Sequence, residues 1–311
     1  MSASEIAPDA SPTPRSLTCR LPDGDMHALA FGDPARPVDL LFVHATGFNA
    51  ATYSQLLAPL GEEHHVVALD MRGHGRTRLP TRPDRLRDWL LYARDVAAAA
   101  AALVTAGRPP VFAGHSMGAV VALQALAAQP RLGRGLLLLD PVLMPESVRW
   151  GTRLPGLRQL MRRGNPMAQA AIRRRAIFPD AEAVTASYRG RGAFRTWQPG
   201  FLEDYVAGGL ITLPDGSVRL ACDPAWEAAT YAAHGDDRLA ALRRIGVPVR
   251  ILAAEHGSTA GRAVRSRDRL GPHVHLSVVP GGTHFFPMEQ PGLVRDALRQ
   301  LLAESAGAQV V

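Results

Sequence analysis

The stretch Pro110-Val111-Phe112-Ala113-Gly114-His115-Ser116-Met117-Gly118-Ala119-Val120-Val121-Ala122-Leu123 sets G-x-S-x-G between a short apolar run and a run of small apolar residues. The first run has the composition of a buried strand and the second that of a closely packed helix. A nucleophile on a sharp strand-to-helix turn needs glycine on either side, because side chains there would collide with the strand or the helix. Such a turn also holds a serine hydroxyl clear of the backbone at a helix start, where amide groups and the helix dipole favour developing negative charge. Ser116 is therefore the candidate nucleophile. His115 is expected to pack beside the elbow, since adjacent side chains on such a turn diverge.

Working outward, apolar runs bounded by turns recur at Val38 to Val43, Val66 to Leu69, Val111 to Ala113, Leu136 to Leu139, Val249 to Ala253 and Val274 to Val279. Helical stretches separate most of them. Continuous apolar runs alternating with helices predict a mostly parallel, doubly wound sheet covered on both faces. The alternation breaks between about Val142 and Asp237, where no comparable strand is read and prolines punctuate helical sequence. A helical cap is expected over residues 142–236, inserted into a core of 16–141 and 237–305. Residues 1–15, with Pro8, Pro12 and Pro14, read as a flexible tail.

The chain has 311 residues, 47% hydrophobic and 20% charged, as expected of a folded protein rather than a disordered one. Its 35 basic and 28 acidic residues give a net charge of +7, carried by arginine and concentrated between Arg149 and Arg195. No nucleic-acid motif accompanies that charge, so a solvated arginine-rich surface is expected, with attraction of an anionic substrate as the other reading. Cys19 and Cys222 are too few for a disulfide scaffold and lack metal-type spacing, which points to a reducing cytoplasm. There is no basic segment leading into an apolar run at the start, and no apolar stretch of about 18 residues, so neither a secretory signal nor a membrane span is expected.

On its elbow and on four further segments the chain resembles the α/β-hydrolase superfamily, and within it the cap-bearing esterases, lactonases and carbon-carbon hydrolases. The resemblance runs from about Leu17 to Leu302 and implies an eight-stranded sheet. Leu41-Phe42-Val43-His44-Ala45-Thr46-Gly47-Phe48 is similar to the family's His-Gly loop, with Ala45 in place of the usual glycine. That similarity implies an oxyanion hole made by the amides of Thr46 and Met117. Asp70-Met71-Arg72-Gly73-His74-Gly75-Arg76-Thr77 resembles a D-x-R-G-x-G turn, in which Asp70 and Arg72 fix the loop and His74 is structural. Val278-Val279-Pro280-Gly281-Gly282-Thr283-His284-Phe285-Phe286-Pro287 looks like the loop after the last strand, where the family carries its catalytic histidine. Imidazole suits the task because its ordinary pKa near 6.5 lets it take and return a proton near neutral pH. His284 is therefore the candidate base.

The family's chain order of serine, acid and histidine leaves two positions for the acid. Asp140 follows Leu136-Leu137-Leu138-Leu139 at a strand end, where a buried carboxylate needs partners. Glu255 follows the strand read over Val249 to Ala254, with Gly257 where the family usually has aspartate. Asp140 is preferred and Glu255 stays open. Serine at the elbow disfavours dehalogenase and epoxide-hydrolase chemistry, which uses a carboxylate nucleophile in this superfamily. The expected activity is hydrolysis of a small-molecule carboxylic ester through an acyl-enzyme, requiring no metal or organic cofactor. Lactone or carbon-carbon bond hydrolysis shares the same elbow and base, and a non-catalytic ligand receptor is the reading from another class. Within the cap, Trp150, Leu154, Phe178, Tyr188, Phe194, Trp197, Phe201 and Tyr205 are candidates for an acyl pocket or for the core of the cap itself.

Overall fold

The structure, a computed structural model, describes residues 14–105, 107–143, 163–261 and 270–305. Its strands are β1 Arg15–Leu21, β2 Gly24–Phe31, β3 Leu40–Val43, β4 Val66–Leu69, β5 Val111–His115, β6 Gly135–Leu139, β7 Ile177–Phe178, β8 Leu210–Thr212, β9 Val218–Leu220, β10 Val249–Ala254 and β11 Val274–Val279. The principal helices are α1 Leu90–Leu103, α2 Met117–Ala128, α3 Pro166–Ile172, α4 Ala181–Tyr188, α5 Phe201–Gly209, α6 Pro224–Ala232, α7 Arg238–Arg244 and α8 Pro291–Ser305. Eight strands form one sheet in the order β1-β2-β4-β3-β5-β6-β10-β11. From β4 to β11 all neighbours run parallel; β2 meets β4, and β1 meets β2, antiparallel.

Both faces of the sheet are covered, which is why its central strands read as unbroken apolar runs. Along β3, Leu41 and Val43 face the core shared with α1 and α2, while Leu40 and Phe42 face the core shared with α8. The same alternation divides Leu136 and Leu138 from Leu137 and Leu139. No helix among the described residues is long and apolar enough to cross a membrane.

Three features differ from those expected. Arg15 already pairs with Ala30 in β1, so the part of the expected tail that is described, Pro14 and Arg15, leads straight into the sheet; residues 1–13 lie outside the described residues. The β1–β2 hairpin has no unbroken apolar run because it lies at the sheet edge and alternates exposed with buried residues, as in Arg20 and Cys19. The insert, described from residue 163 onward, is not wholly helical: β7, β9 and β8 form a second, antiparallel sheet. These strands have only two or three residues each. The β8–β9 turn carries the signal that was available, Leu213-Pro214-Asp215-Gly216-Ser217, with Gly216 at φ +84° and Leu213 N–H bonded to Ser217 O.

The insert rejoins the core through a buried ion pair. Arg238 Nε lies 2.6 Å from Asp236 Oδ2, with both side chains almost fully buried. The same guanidinium donates to Val142 O across the far connection at 2.9 Å and stacks 3.8 Å above the Trp89 ring. Asp236 also accepts from Gln124 Nε2 at 2.5 Å. Burial alone would raise the Asp236 pKa, but the charge and hydrogen bonds of Arg238 hold it below the usual range. The pair thus ties both ends of the insert to Gln124 of α2 and to Trp89 at the start of α1. Removing only the cation strands a buried carboxylate, a change that typically costs about 3–5 kcal/mol. Arg238→Met is therefore expected to lower unfolding free energy in urea by about that much, and Asp236→Asn added to it should recover most of the loss. An unchanged midpoint in the single variant would contradict this account.

Candidate active site

At the elbow, Ser116 is forced into φ 57° and ψ −116°, a backbone conformation a non-glycine residue adopts only when its surroundings impose it. The two glycines of the motif explain how. A Cβ on Gly114 would lie 2.5 Å from Gly118 C, and one on Gly118 would lie 2.2 Å from Val43 O. Bare backbone at both positions lets α2 approach β5 and β3 directly. Ser116 N–H bonds to Leu139 O at 2.9 Å, extending the β5–β6 ladder by one residue before the turn.

The structure brings Ser116, His284 and Asp140 into one hydrogen-bonded chain. Ser116 Oγ lies 3.1 Å from His284 Nε2, and His284 Nδ1 lies 2.6 Å from Asp140 Oδ2. Asp140 is fully buried at the end of β6. Its Oδ1 accepts from Ala254 N–H at 2.9 Å and Ser258 Oγ at 2.5 Å, and its Oδ2 from Thr259 N–H at 2.9 Å. Burial alone would raise its pKa; hydrogen bonding and charge from His284, with Ser258 and Thr259, bring it down to about 2. The carboxylate is thus ionised throughout the neutral range.

Glu255 takes a different place. Its half-exposed carboxylate accepts Gly281 N–H at 2.6 Å, bracing the loop that carries His284 rather than the imidazole. Two further supports of this region were not singled out from the sequence. Ser258 and Thr259 hold Asp140, and hydroxyl residues just past a strand where an acid was sought are the sequence signal for such a cradle. Glu289 accepts from Thr283 N–H at 3.1 Å and Thr283 Oγ1 at 2.7 Å, fixing the residue before His284. It also accepts from Thr196 Oγ1 of the insert at 2.5 Å.

The loop after β3 lies against the elbow. Thr46 Oγ1 is 3.3 Å from Met117 Sδ, and among the described residues neither Thr46 N–H nor Met117 N–H has a hydrogen-bond partner. Met117 is the first residue of α2, where amides lack helical acceptors. His74 Nε2 accepts Gly47 N–H at 3.1 Å, while His74 Nδ1 donates to Arg72 O at 3.0 Å. Burial, reinforced by neighbouring His44, lowers the His74 pKa to about 3, so it acts here as a neutral brace. His44 plays the same part toward Met71 N–H at 3.0 Å. Asp70 accepts Ala50 and Arg76 N–H, and Arg72 forms a forked pair with Asp95 at 2.7 and 2.8 Å.

His115 does more than pack. Its Nδ1 lies 2.8 Å from Tyr53 Oη and its Nε2 lies 2.8 Å from His284 O, contacts invisible to a reading that considered only where adjacent side chains point.

Aromatic rings cluster around the loop after β3. Phe48, two residues past Thr46, lies 5.3 Å from Trp197, 5.7 Å from Tyr205 and 6.3 Å from Phe285, centroid to centroid. Phe178 and Tyr205 belong to the insert's own core, whereas Phe201 joins the core shared with α8. Tyr188 and Phe194 stack on each other at 5.0 Å. Trp150 and Leu154 lie outside the described residues. Of the arginine-rich stretch, Arg174 is not a solvated charge: it donates to both Glu227 oxygens at 2.9 and 2.7 Å and to the hydroxyls of Tyr188 and Tyr205. Among the described residues, no group of three or more His, Cys, Asp or Glu is arranged to hold a metal ion.

The model of the alpha/beta hydrolase family matches residues 40–297. The chain is 27% identical over 269 residues to a 2-(acetamidomethylene)succinate hydrolase of Mesorhizobium japonicum, covering 85% of this chain and 87% of that protein. It is 28% identical over 193 residues to lipase LipV of Mycobacterium tuberculosis, covering 62% of this chain and 64% of that one. Among solved structures, an E-2-(acetamidomethylene)succinate hydrolase superposes with a TM-score of 0.74 at 23% identity, over 94% of this chain and all of that one, a likeness of fold. With its eight-stranded sheet, its strained serine elbow and a family match across most of its length, the chain belongs to the α/β-hydrolase family.

Proposed function

We propose that this hydrolase cleaves a small-molecule carboxylic ester through an acyl-enzyme formed on Ser116. The observation that carries the reading is the unbroken hydrogen-bond chain from Ser116 Oγ through His284 to the buried Asp140 carboxylate. His284 Nε2 takes the hydroxyl proton as Oγ attacks the acyl carbon. Asp140 accepts at Nδ1, holding the ring in the tautomer that leaves Nε2 free and stabilising the imidazolium that forms. The amides of Thr46 and Met117, neither otherwise engaged among the described residues, receive the oxyanion. Two such donors matter, since loss of one typically costs about 2.7–4 kcal/mol of transition-state stabilisation. His284 then protonates the leaving alcohol, and water activated by the same base releases the acid. The insert acts as a cap, and its aromatic side chains at Phe48 exclude water from the acyl group.

A second reading, hydrolysis of an acetamido-substituted succinate, is favoured by the likeness to the Mesorhizobium enzyme over most of both chains. Against it stands the commitment of Arg174: both terminal nitrogens of this insert guanidinium are taken by Glu227, Tyr188 and Tyr205 rather than offered to a substrate carboxylate. The lipase likeness and the apolar surroundings support the ester.

Ser116→Ala is expected to abolish both hydrolysis of p-nitrophenyl butyrate and labelling by a fluorophosphonate probe. Intact wild-type protein that ignores both reagents would leave the non-catalytic receptor as the better account. Asp140→Asn should lower kcat on the order of 10³- to 10⁴-fold, because the ring loses the partner that fixes its tautomer. Glu255→Gln should change kcat by no more than about three-fold, a surface-type effect; steady-state assays of the two variants side by side decide the matter, and the reverse ranking would overturn the assignment.

The pH profile follows from the same groups. Asp140 protonates only near pH 2, and buried His74 and His115 each only near 3, so none of them gains a proton between about pH 4 and neutrality. These three groups are therefore expected to add nothing to the acidic limb of log kcat/KM between neutrality and about pH 4; a limb steeper than unit slope in that range would contradict this.

A further inference from the structure

The hydrogen bonds around His115 have a direction that elementary chemistry fixes. Ala45 N–H, a backbone donor, points to Tyr53 Oη at 3.1 Å, so the phenol accepts there. Its own proton is then free for His115 Nδ1, 2.8 Å away. At the far side of the ring, His115 Nε2 meets the carbonyl oxygen of His284 at 2.8 Å, and a carbonyl only accepts. Nε2 must therefore carry the proton and Nδ1 the lone pair. Tyr53 and His115 are fully buried, and burial lowers the His115 pKa to about 3, consistent with a neutral ring that has one donor and one acceptor face.

We propose that Tyr53 and His115 form a one-way hydrogen-bond relay that holds the oxyanion loop, the nucleophile elbow and the base loop in register, and that both are positioning residues of the reaction. The inference rests on the serine-hydrolase assignment above. Each end of the relay touches a backbone group next to a reacting one: Ala45 precedes Thr46, His115 precedes Ser116, and the carbonyl accepted from is that of His284 itself. Tyr53 satisfies the ring's acceptor face. Without its hydroxyl, Nδ1 becomes a buried lone pair with no donor, Ala45 N–H loses its acceptor, and the ring stays tied to the base loop only through Nε2 and the His284 carbonyl. The relay contains no group that touches substrate, so its loss should act on geometry at the reacting atoms and leave substrate binding little changed.

The test uses the full-length protein, with p-nitrophenyl butyrate turnover and the rate of Ser116 phosphonylation by a fluorophosphonate as parallel readouts. Tyr53→Phe keeps the aromatic ring and removes the link between Ala45 and His115; it should lower both kcat and the labelling rate about ten-fold with KM within two-fold, as expected for misplacement of reacting groups. His115→Ala should do the same, and His115→Gln, whose amide supplies a donor toward the His284 carbonyl, should recover much of the loss. Because both variants break one relay, Tyr53→Phe combined with His115→Ala should be no slower than His115→Ala alone. Rates within two-fold of wild type in Tyr53→Phe, multiplying losses in the double variant, or a rise in KM at constant kcat would each overturn the proposal. Should His115→Ala fail to fold, Tyr53→Phe decides by itself. Failure of the underlying assignment is separately visible, as hydrolysis and labelling that survive Ser116→Ala.

Discussion

A fully buried carboxylate is the constraint from which the site is assembled. Asp140 sits at the end of β6 with no exposed surface, a position that is unfavourable for an ion unless donors surround it. Donors come from three directions: the amide of Ala254 at the end of the neighbouring β10, the hydroxyl of Ser258 and both polar groups of Thr259 just beyond it, and the ring of His284 from the loop after β11. Satisfying one ion thus pins together the ends of three adjacent strands. The price is local strain, visible in the positive φ of 40° at Asp140 itself. The functional consequence is that His284 is aimed by the same contacts that make the fold acceptable, so chemistry and stability share one set of atoms.

A second constraint is steric and works on the opposite side of the serine. Gly114 and Gly118 let backbone touch backbone where β3, β5 and α2 converge, and the strained conformation of Ser116 follows from that crowding. The helix start is brought so close to the end of β3 that the Met117 amide and the loop containing Thr46 share one corner of the molecule. Had either glycine a side chain, α2 would have to move away, and the two amides would part before any catalytic group was altered. His44 and His74, both kept neutral by burial, then hold the backbone of the turn after β4 and of the loop after β3 against each other.

How much of this was legible beforehand depends on what kind of information each feature requires. Residue type and local spacing suffice for the elbow, because only glycine fits its two flanks, and for the apolar runs, because both faces of each central strand are buried. The choice between Asp140 and Glu255 is different in kind. Both follow a strand, and what separates them is that β6 lies beside β10 while Glu255, one residue past β10, turns toward Gly281 on the β11 side. Strand order is a long-range property that no local window contains. The edge hairpin β1–β2 and the two- and three-residue strands of the insert were missed for the contrary reason: their local patterns are too weak or too short, and they exist because neighbours supply the pairing. His115 failed to declare itself because its partners, Tyr53 and His284, are 62 and 169 positions away.

The insert changes how the site must be understood. Phe48, from the loop after β3, packs among Trp197 and Tyr205, while Phe285, from the loop that carries His284, meets Trp197 and Phe48. Glu289 links Thr196 of the insert to Thr283, one residue before His284. The loops that carry Thr46 and His284 are therefore also the two loops that the insert contacts. Thr196 and Trp197 reach both of them, through Glu289 and through the rings of Phe48 and Phe285. The ion pair of Asp236 and Arg238 lies at the insert's return to the core, where the guanidinium is held by both connections and by Trp89. The insert is thus held by the buried ion pair at its return to the core and by aromatic packing against Phe48 and Phe285 at the loops that carry Thr46 and His284.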